Sequence, residues 1–177
     1  MGKIDVSGVQ VSETTFDQQP IMIDGQEVLE DWIDYNGHMN VAFYVLAFDR
    51  ALDRVFDRIG IGVDYVARTN NSIFVLQNHV SYMNELKLGD PVSVSFQLLD
   101  HDAKRFHYFL RMYHGQEQYL AATAEQLAIH VNLDSRRSAP FPPDIAQNLA
   151  TLGAAHARLP LPENAGARIG LTRKSAA

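Results

Sequence analysis

Asp34-Tyr-Asn-Gly-His-Met-Asn40 sets a carboxylate, a glycine, an imidazole and a carboxamide directly ahead of an amphipathic run. The opening turn of a helix carries N–H groups with no intrahelical acceptor, and its dipole favours negative charge developing beside it. That combination suits hydrolysis of an activated carbonyl. Asp34 would attack the carbon directly or position a water as general base, and backbone N–H groups of residues 38 to 42 would receive the oxyanion. Gly37 lets the chain turn without a side chain in the way, and His38 and Asn40 are short polar groups that hold such a turn by local hydrogen bonds. The same residues also serve as a plain helix entrance, with Asp34 capping a turn and Asn40 capping the helix. Residue types alone leave both readings open.

The elements that must position this cluster follow from periodicity. From Val41 to Ile59 the large apolar residues fall at 41, 44, 45, 48, 52, 55, 56 and 59, the spacing of one long helix with a broad buried face. Asp49-Arg50, Asp53-Arg54 and Asp57-Arg58 form its charged stripe, and the sequence predicts Arg50–Asp53 and Arg54–Asp57 pairs at i,i+3, each contributing ~0.3 kcal/mol. Gly60-Ile-Gly62 stops the helix. Before it, Asp24-Gly25 between two β-prone runs predicts a small hairpin, and the polar residues 1–20 read as a mobile arm or a strap on a partner surface.

After the helix the period drops to two. Phe74, Leu76, Val80 and Tyr82, then Val92, Val94, Phe96 and Leu98, then Phe106, Tyr108, Leu110 and Met112 predict three half-buried strands. Residues 118 to 133 predict a fourth, apolar on both faces and therefore central. The short polar connections between them predict sequential antiparallel pairing. A helix capped by Asp144 and an irregular Pro/Gly-rich tail complete the chain. The expected architecture is α+β: an arm over 1–20, one domain over 21–143 in which an antiparallel sheet of about five to six strands wraps one long central helix, and a C-terminal helix and tail over 144–177.

Composition removes other classes. With no cysteine among 177 residues, disulfides, thiolate zinc and a catalytic thiol are excluded, and the expected location is cytoplasmic. The net charge is -6, and no basic cluster exceeds Ser135-Arg-Arg or Thr172-Arg-Lys, so a nucleic-acid partner is not expected. Nor is a membrane, because no run has the apolar length of a span. His101, Asp102 and His107 are too poorly placed on the expected strands to converge on a metal.

The order of elements, with Asp34, Gly37, His38 and Asn40 matching an Asp-x-x-Gly-His-x-Asn pattern ahead of the helix, resembles the hotdog-fold thioesterases of the 4-hydroxybenzoyl-CoA thioesterase type. The likeness covers roughly residues 25 to 135 and includes the Gly89-Asp90 turn before "PVSVSFQLL". "WIDYNGHMN", "LLDHDAKRFH" and "LAATAEQLAIHV…RRSAP" are more closely similar to the betainyl-CoA thioesterases of carnitine catabolism, found alone or joined to carnitine dehydrogenase. The resemblance implies an acyl-CoA substrate and no cofactor. It also implies a homodimer or homotetramer with sheets joined at their edges, and work beside carnitine dehydrogenase. One departure is informative: the family's other style uses a glutamate within the long helix, and residues 41 to 59 contain none.

For a trimethylammonium acyl group, Trp32, Tyr35, Tyr44 and Phe48 are candidate aromatic contacts, and Glu125, mid-strand in an apolar run, is a candidate counter-ion. Each also has an ordinary reading, the aromatics as core and Glu125 as a solvent-facing or backbone-bonded acid. Arg105, Arg136 and Arg137 are candidates for the CoA phosphates. Two other functions fit the same features: a hydratase or dehydratase acting on acyl thioesters, and a non-catalytic acyl-thioester binding module in which residues 34–40 survive as a turn.

Overall fold

The computed structural model describes residues 15–171. Strand β1 (Ile21–Glu27) and a 3-10 turn (Glu30–Trp32) lead to helix α1 (Val41–Ile59), followed by a short helix α2 (Val63–Thr69). Strands β2 (Asn71–Tyr82), β3 (Pro91–His101), β4 (Arg105–His114) and β5 (Leu120–Asn132) come next, then a two-residue β6 (Arg137–Ser138) and helix α3 (Pro143–His156). All pairings are antiparallel, in the order β1-β3-β4-β5-β2, with β6 added to β5.

Helix α1 lies on the inner face of this sheet. Tyr44, Phe48, Leu52 and Val55 join Val92, Val94, Phe96, Phe106, Tyr108, Leu110 and Met112 in one core, as the periodicities of the helix and of β3 and β4 predict. Alanines 122, 124 and 128 of β5 are fully buried in the same core. Asn40 begins the helix and Gly60 ends it, at φ 94° in the left-handed region that glycine adopts without a Cβ penalty.

Several expectations are corrected. Asp24-Gly25 makes no hairpin: β1 is a single strand, and Gly25, at φ +91°, sits in a bulge between Ile23 and Gln26. Nor do β2 and β3 pair. Strand β2 pairs with β5 at one edge while β3 lies between β1 and β4, so the connection from 83 to 90 must cross the ends of two strands. Three strand spacings are only about 14 Å, well within the reach of that segment. A second bulge, between Val75 and Gln77, flips the parity of β2, so that Phe74 lies opposite Ile129 on the outer face while Val80 and Tyr82 lie opposite Ala124 and Ala122 on the inner one.

The charge stripe of α1 forms neither expected ion pair. Arg50 lies over the Trp32 ring at 5.2 Å, and Arg54 donates to the carbonyl of Asp24. Asp144 falls in the first turn of α3 behind a Pro142 N-cap and makes no cap bond. Residues 1–14 of the expected arm lie outside the described residues. Residues 15–20 are tied to the body, with Phe16 packed against the core and the Gln19 carbonyl bonded to His156.

His156 closes an edge. Beyond its pairing with β1, strand β3 has free backbone groups, and α3 covers them: the Leu98 N–H donates to His156 Nδ1 at 2.8 Å while Nε2 faces Gln19 O at 3.1 Å. This fixes the neutral ring, with its proton on Nε2. Burial lowers the His156 pKa below its ordinary 6.5, against the smaller opposing pull of the Gln19 carbonyl. The folded state therefore binds this proton less well than the unfolded chain. Its stabilising effect is full above about pH 6.5 and is lost as pH falls toward the depressed folded value. Denaturant titrations between pH 7.5 and 5 are expected to show a steeper loss of stability in the wild type than in His156→Gln, which keeps a donor and an acceptor but cannot titrate. Equal slopes would show that this imidazole does not govern the window.

Candidate active site

Residues 33 to 39 fold into a tight turn bridged by Ile33 and Met39. The Asp34 N–H donates to His38 O at 3.1 Å, and the Gly37 N–H returns to Asp34 O at 3.0 Å. Gly37 holds φ +82° with no atom within 4 Å of where a Cβ would stand, so backbone conformation rather than space calls for glycine here. Asp34 is half-buried, and its Oδ1 accepts from the Asn36 N–H at 2.8 Å. The side chain of Asn40 works in two directions. Its Oδ1 caps α1 by accepting from Ala42 N–H at 3.0 Å, while Nδ2 reaches Asp34 Oδ2 at 3.4 Å.

The N–H groups of 38 to 42 can now be assigned. Met39 donates to Leu86 O, Asn40 to Trp32 O, and Ala42 to the Asn40 side chain. Among the described residues, His38 and Val41 are left without an acceptor. Val41 is the first helical residue, at the positive end of the dipole and one peptide from the residue that holds Asp34. A carbonyl oxygen placed on Val41 N–H would meet an unused donor, with the carboxylate held beside it by Asn40.

The crossing segment supplies the second wall. Leu86 is fully buried and accepts from Met39 N–H at 2.8 Å. The Tyr44 hydroxyl accepts from Leu86 N–H at 3.2 Å and donates to Asn84 O at 3.4 Å, so the helix grips this segment from the other side. The Tyr119 hydroxyl donates to Glu85 O at 2.9 Å, and the Glu85 carboxylate stands 3.9 Å from His38 Nε2. His38 Nδ1 donates to Met39 O at 3.2 Å. Burial raises the Tyr44 pKa, the Leu86 N–H acting against it, which keeps the phenol neutral.

The remaining sequence candidates are dispersed. Trp32, 3% exposed, stacks on Phe43 at 5.5 Å beneath Arg50, and Phe48 is fully buried, so both are core. Tyr35 is 95% exposed on the turn. Glu125 is the clearest correction. It points to the outer face of the sheet, away from α1, where His107 Nε2 lies 2.7 Å from Oε1 and the Gly166 N–H donates to Oε2 at 2.7 Å. It lines an outer cleft of about 680 Å³ on the opposite face of β5 from α1, so it does not face an acyl group held at the 33–39 turn. Arg105 is engaged by Asp102 at 2.6 Å, and Arg136 lies over Phe74. The Arg105 guanidinium and the backbone N–H of Lys104 hold the Asp102 carboxyl down to about 2, with the Lys104 bond the larger influence. Among the described residues no three His, Cys, Asp or Glu side chains are arranged to hold a metal ion. Sequence reading missed Tyr82, a half-exposed ring whose hydroxyl donates to Val41 O at 3.3 Å.

Residues 28–149 match the thioesterase-like superfamily. The chain belongs to that superfamily. A betainyl-CoA thioesterase of Pseudomonas aeruginosa is 40% identical over 144 residues, covering 81% of this chain and 91% of that one. An L-carnitine dehydrogenase/betainyl-CoA thioesterase of Rhizobium meliloti is 32% identical over 87% of this chain, which spans 31% of that longer protein. A Staphylococcus aureus protein solved in complex with CoA superposes with a TM-score of 0.81 at 28% identity, over 89% of this chain and 99% of that one. The fold is the hotdog fold of thioesterases, and the enzyme is an acyl-CoA thioester hydrolase.

Asn40→Ala removes the cap and one restraint on Asp34 together. It is expected to cost about 1 kcal/mol of stability, measured by denaturant unfolding, and to lower kcat by more than that loss of folded protein explains. Asn40→Ser, which restores a cap acceptor but not the amide donor to Asp34, should recover stability without recovering kcat. Recovery of both would show that Asn40 acts only as a cap.

Proposed function

We propose that this thioesterase hydrolyses betainyl-CoA, with Asp34 as nucleophile or general base and the α1 entrance as the oxyanion site. The observation that carries the chemistry is the unused Val41 N–H beside a carboxylate held by the helix-capping residue. The acyl group is carried over from the relative with 40% identity. The thioester carbonyl accepts from Val41 N–H, so the charge of the tetrahedral intermediate develops against the helix dipole. In one route Asp34 takes a proton from water as the water oxygen bonds to the acyl carbon. The C–S bond then breaks, and the thiolate receives that proton to give CoA and the free acid. In the other, an Asp34 carboxylate oxygen bonds to the acyl carbon and the C–S bond breaks to release the thiolate; water then cleaves the mixed anhydride, giving the free acid and the regenerated carboxylate, and its remaining proton passes to the thiolate. Gly37 and His38 shape the turn in both routes. No cofactor enters either route, and the cytoplasmic address expected from composition suits a CoA-thioester substrate.

A second copy of the chain is the natural partner of β2. Among the described residues, the outer backbone groups of this twelve-residue edge strand are unpaired, and it exposes Phe74, Val75, Leu76 and Tyr82. Pairing two such edges would extend the sheet and bring the two α1 entrances toward a shared groove. Sedimentation at micromolar concentration is expected to give a dimer, or a tetramer built as a dimer of dimers, and a monomer would contradict this arrangement. The fused relatives support placing the reaction next to that of a carnitine dehydrogenase.

Thiol release from betainyl-, acetyl-, medium-chain and benzoyl-CoA, with the wild type and Asp34→Asn side by side, tests the assignment. Betainyl-CoA is expected to be preferred, and Asp34→Asn to lose roughly 10²–10⁴-fold in kcat while still binding CoA. Preference for another acyl group would remove the betainyl assignment alone. Hydration of an enoyl-CoA without thiol release would point to the hydratase, and binding without turnover to a non-catalytic module.

A further inference from the structure

We propose that Tyr82 is the aromatic wall that selects a quaternary-ammonium acyl group at the α1 entrance, an assignment that rests on the betainyl-CoA reading above. In a betainyl thioester the nitrogen is two bonds from the carbonyl carbon, about 2.5 Å by ordinary bond lengths. Whatever recognises the cation must therefore stand next to the group that holds the carbonyl. That requirement removes most of the aromatics suggested by sequence. Trp32 and Phe48 are buried in the core, and Tyr35 points into solvent from the turn. Tyr44 is near but 4% exposed, with its hydroxyl already bonded to Asn84 and Leu86.

Tyr82 meets the requirement. It is the last residue of β2, opposite Ala122 on the inner face of the sheet, and it is 48% exposed. Its hydroxyl donates to the carbonyl of Val41, the residue whose N–H is free to hold the thioester oxygen. Its ring is braced edge-on by Tyr44, with centroids 5.2 Å apart at 82°. One tether and one brace fix a partly open π-face beside the reacting carbonyl, where a cation is attracted to the ring quadrupole. Burial raises the Tyr82 pKa and keeps the phenol protonated, so the hydroxyl keeps its proton for Val41. The full countercharge does not have to come from a further residue. The Asp34 carboxylate is held by Asn40, the residue before Val41, and the Glu85 carboxylate stands 3.9 Å from His38 Nε2 in the same turn.

The neutral isostere of the acyl group separates charge from shape. In 3,3-dimethylbutyryl-CoA a carbon replaces the ammonium nitrogen, and the outline is otherwise the same. The quantity to read is the ratio of kcat/KM for betainyl-CoA to that for the isostere, in the wild type, Tyr82→Phe and Tyr82→Leu, with sedimentation checking that each variant keeps the wild-type assembly. Tyr82→Leu is expected to lower the ratio roughly 2- to 30-fold, the span of a cation–π contact. Tyr82→Phe should keep the ratio while lowering kcat for both substrates, because the Val41 carbonyl loses its tether. If Tyr82→Leu does not stay folded, phenylalanine and its mono-, di- and trifluoro derivatives at position 82 keep the shape, and the ratio should fall stepwise as fluorine drains the ring face. An unchanged ratio in Tyr82→Leu or across the fluorinated series overturns the assignment. A wild type that hydrolyses the isostere but not betainyl-CoA overturns the substrate reading itself, and this assignment with it.

Discussion

A helix cannot satisfy its own first N–H groups, and the rest of this site depends on how that deficit is shared out. The chain gives the Ala42 donor to the Asn40 side chain and the Met39 and Asn40 donors to neighbouring backbone, and it leaves Val41 open. The same Asn40 reaches back to Asp34. One side chain thus fixes where the helix starts and where the carboxylate stands, so the Asp34 carboxylate and the open Val41 N–H are positioned by a single local constraint. That economy explains why a short motif can carry the site.

The sheet order supplies the surroundings. Because β2 pairs with β5 rather than with β3, the chain has to return across the end of the sheet, and it does so against the 33–39 turn. Leu86 is the anchor of that crossing, buried and bonded to both Met39 and Tyr44. The same topology leaves β2 as an edge, with Tyr82 at its end facing the helix entrance. A hairpin between β2 and β3 would have removed the second wall of the site and covered the edge available to a second copy.

The local features were the legible ones. Helix α1, its Asn40 cap and Gly60 stop, and the inner faces of β3 and β4 follow from residue spacing, because each depends on neighbours close in the chain. What sequence misplaced depended on partners far away. Asp24-Gly25 has the composition of a hairpin turn, yet its positive φ is used in a bulge because β1 already has β3 as a partner. The connection after β2 is short enough for a hairpin and long enough for a crossing, and length alone does not choose. Arg50 and Arg54 find an aromatic face and a carbonyl instead of the aspartates on their own helix, contacts that no helical spacing encodes. Glu125 was suspect for the right reason, a buried acid needing a partner, but alternation left its face undecided until the pairing with β4 and β2 was known. The bulge at Val75 turns Phe74 outward while Tyr82 keeps the inner face that alternation predicts; that the end of β2 meets the start of α1 is a contact no local spacing encodes.

The Val41 amide is where the helix entrance can be observed most directly. In ¹⁵N-labelled protein, its proton and nitrogen shifts should be followed while an unreactive ketone analogue of the acyl-CoA, with methylene in place of sulfur, is added. If this N–H holds the reacting carbonyl, its proton will move downfield on saturation, and the same analogue lacking the carbonyl oxygen will bind without that shift. A saturated complex in which the Val41 amide is unmoved would contradict the placement of the oxyanion at the start of α1.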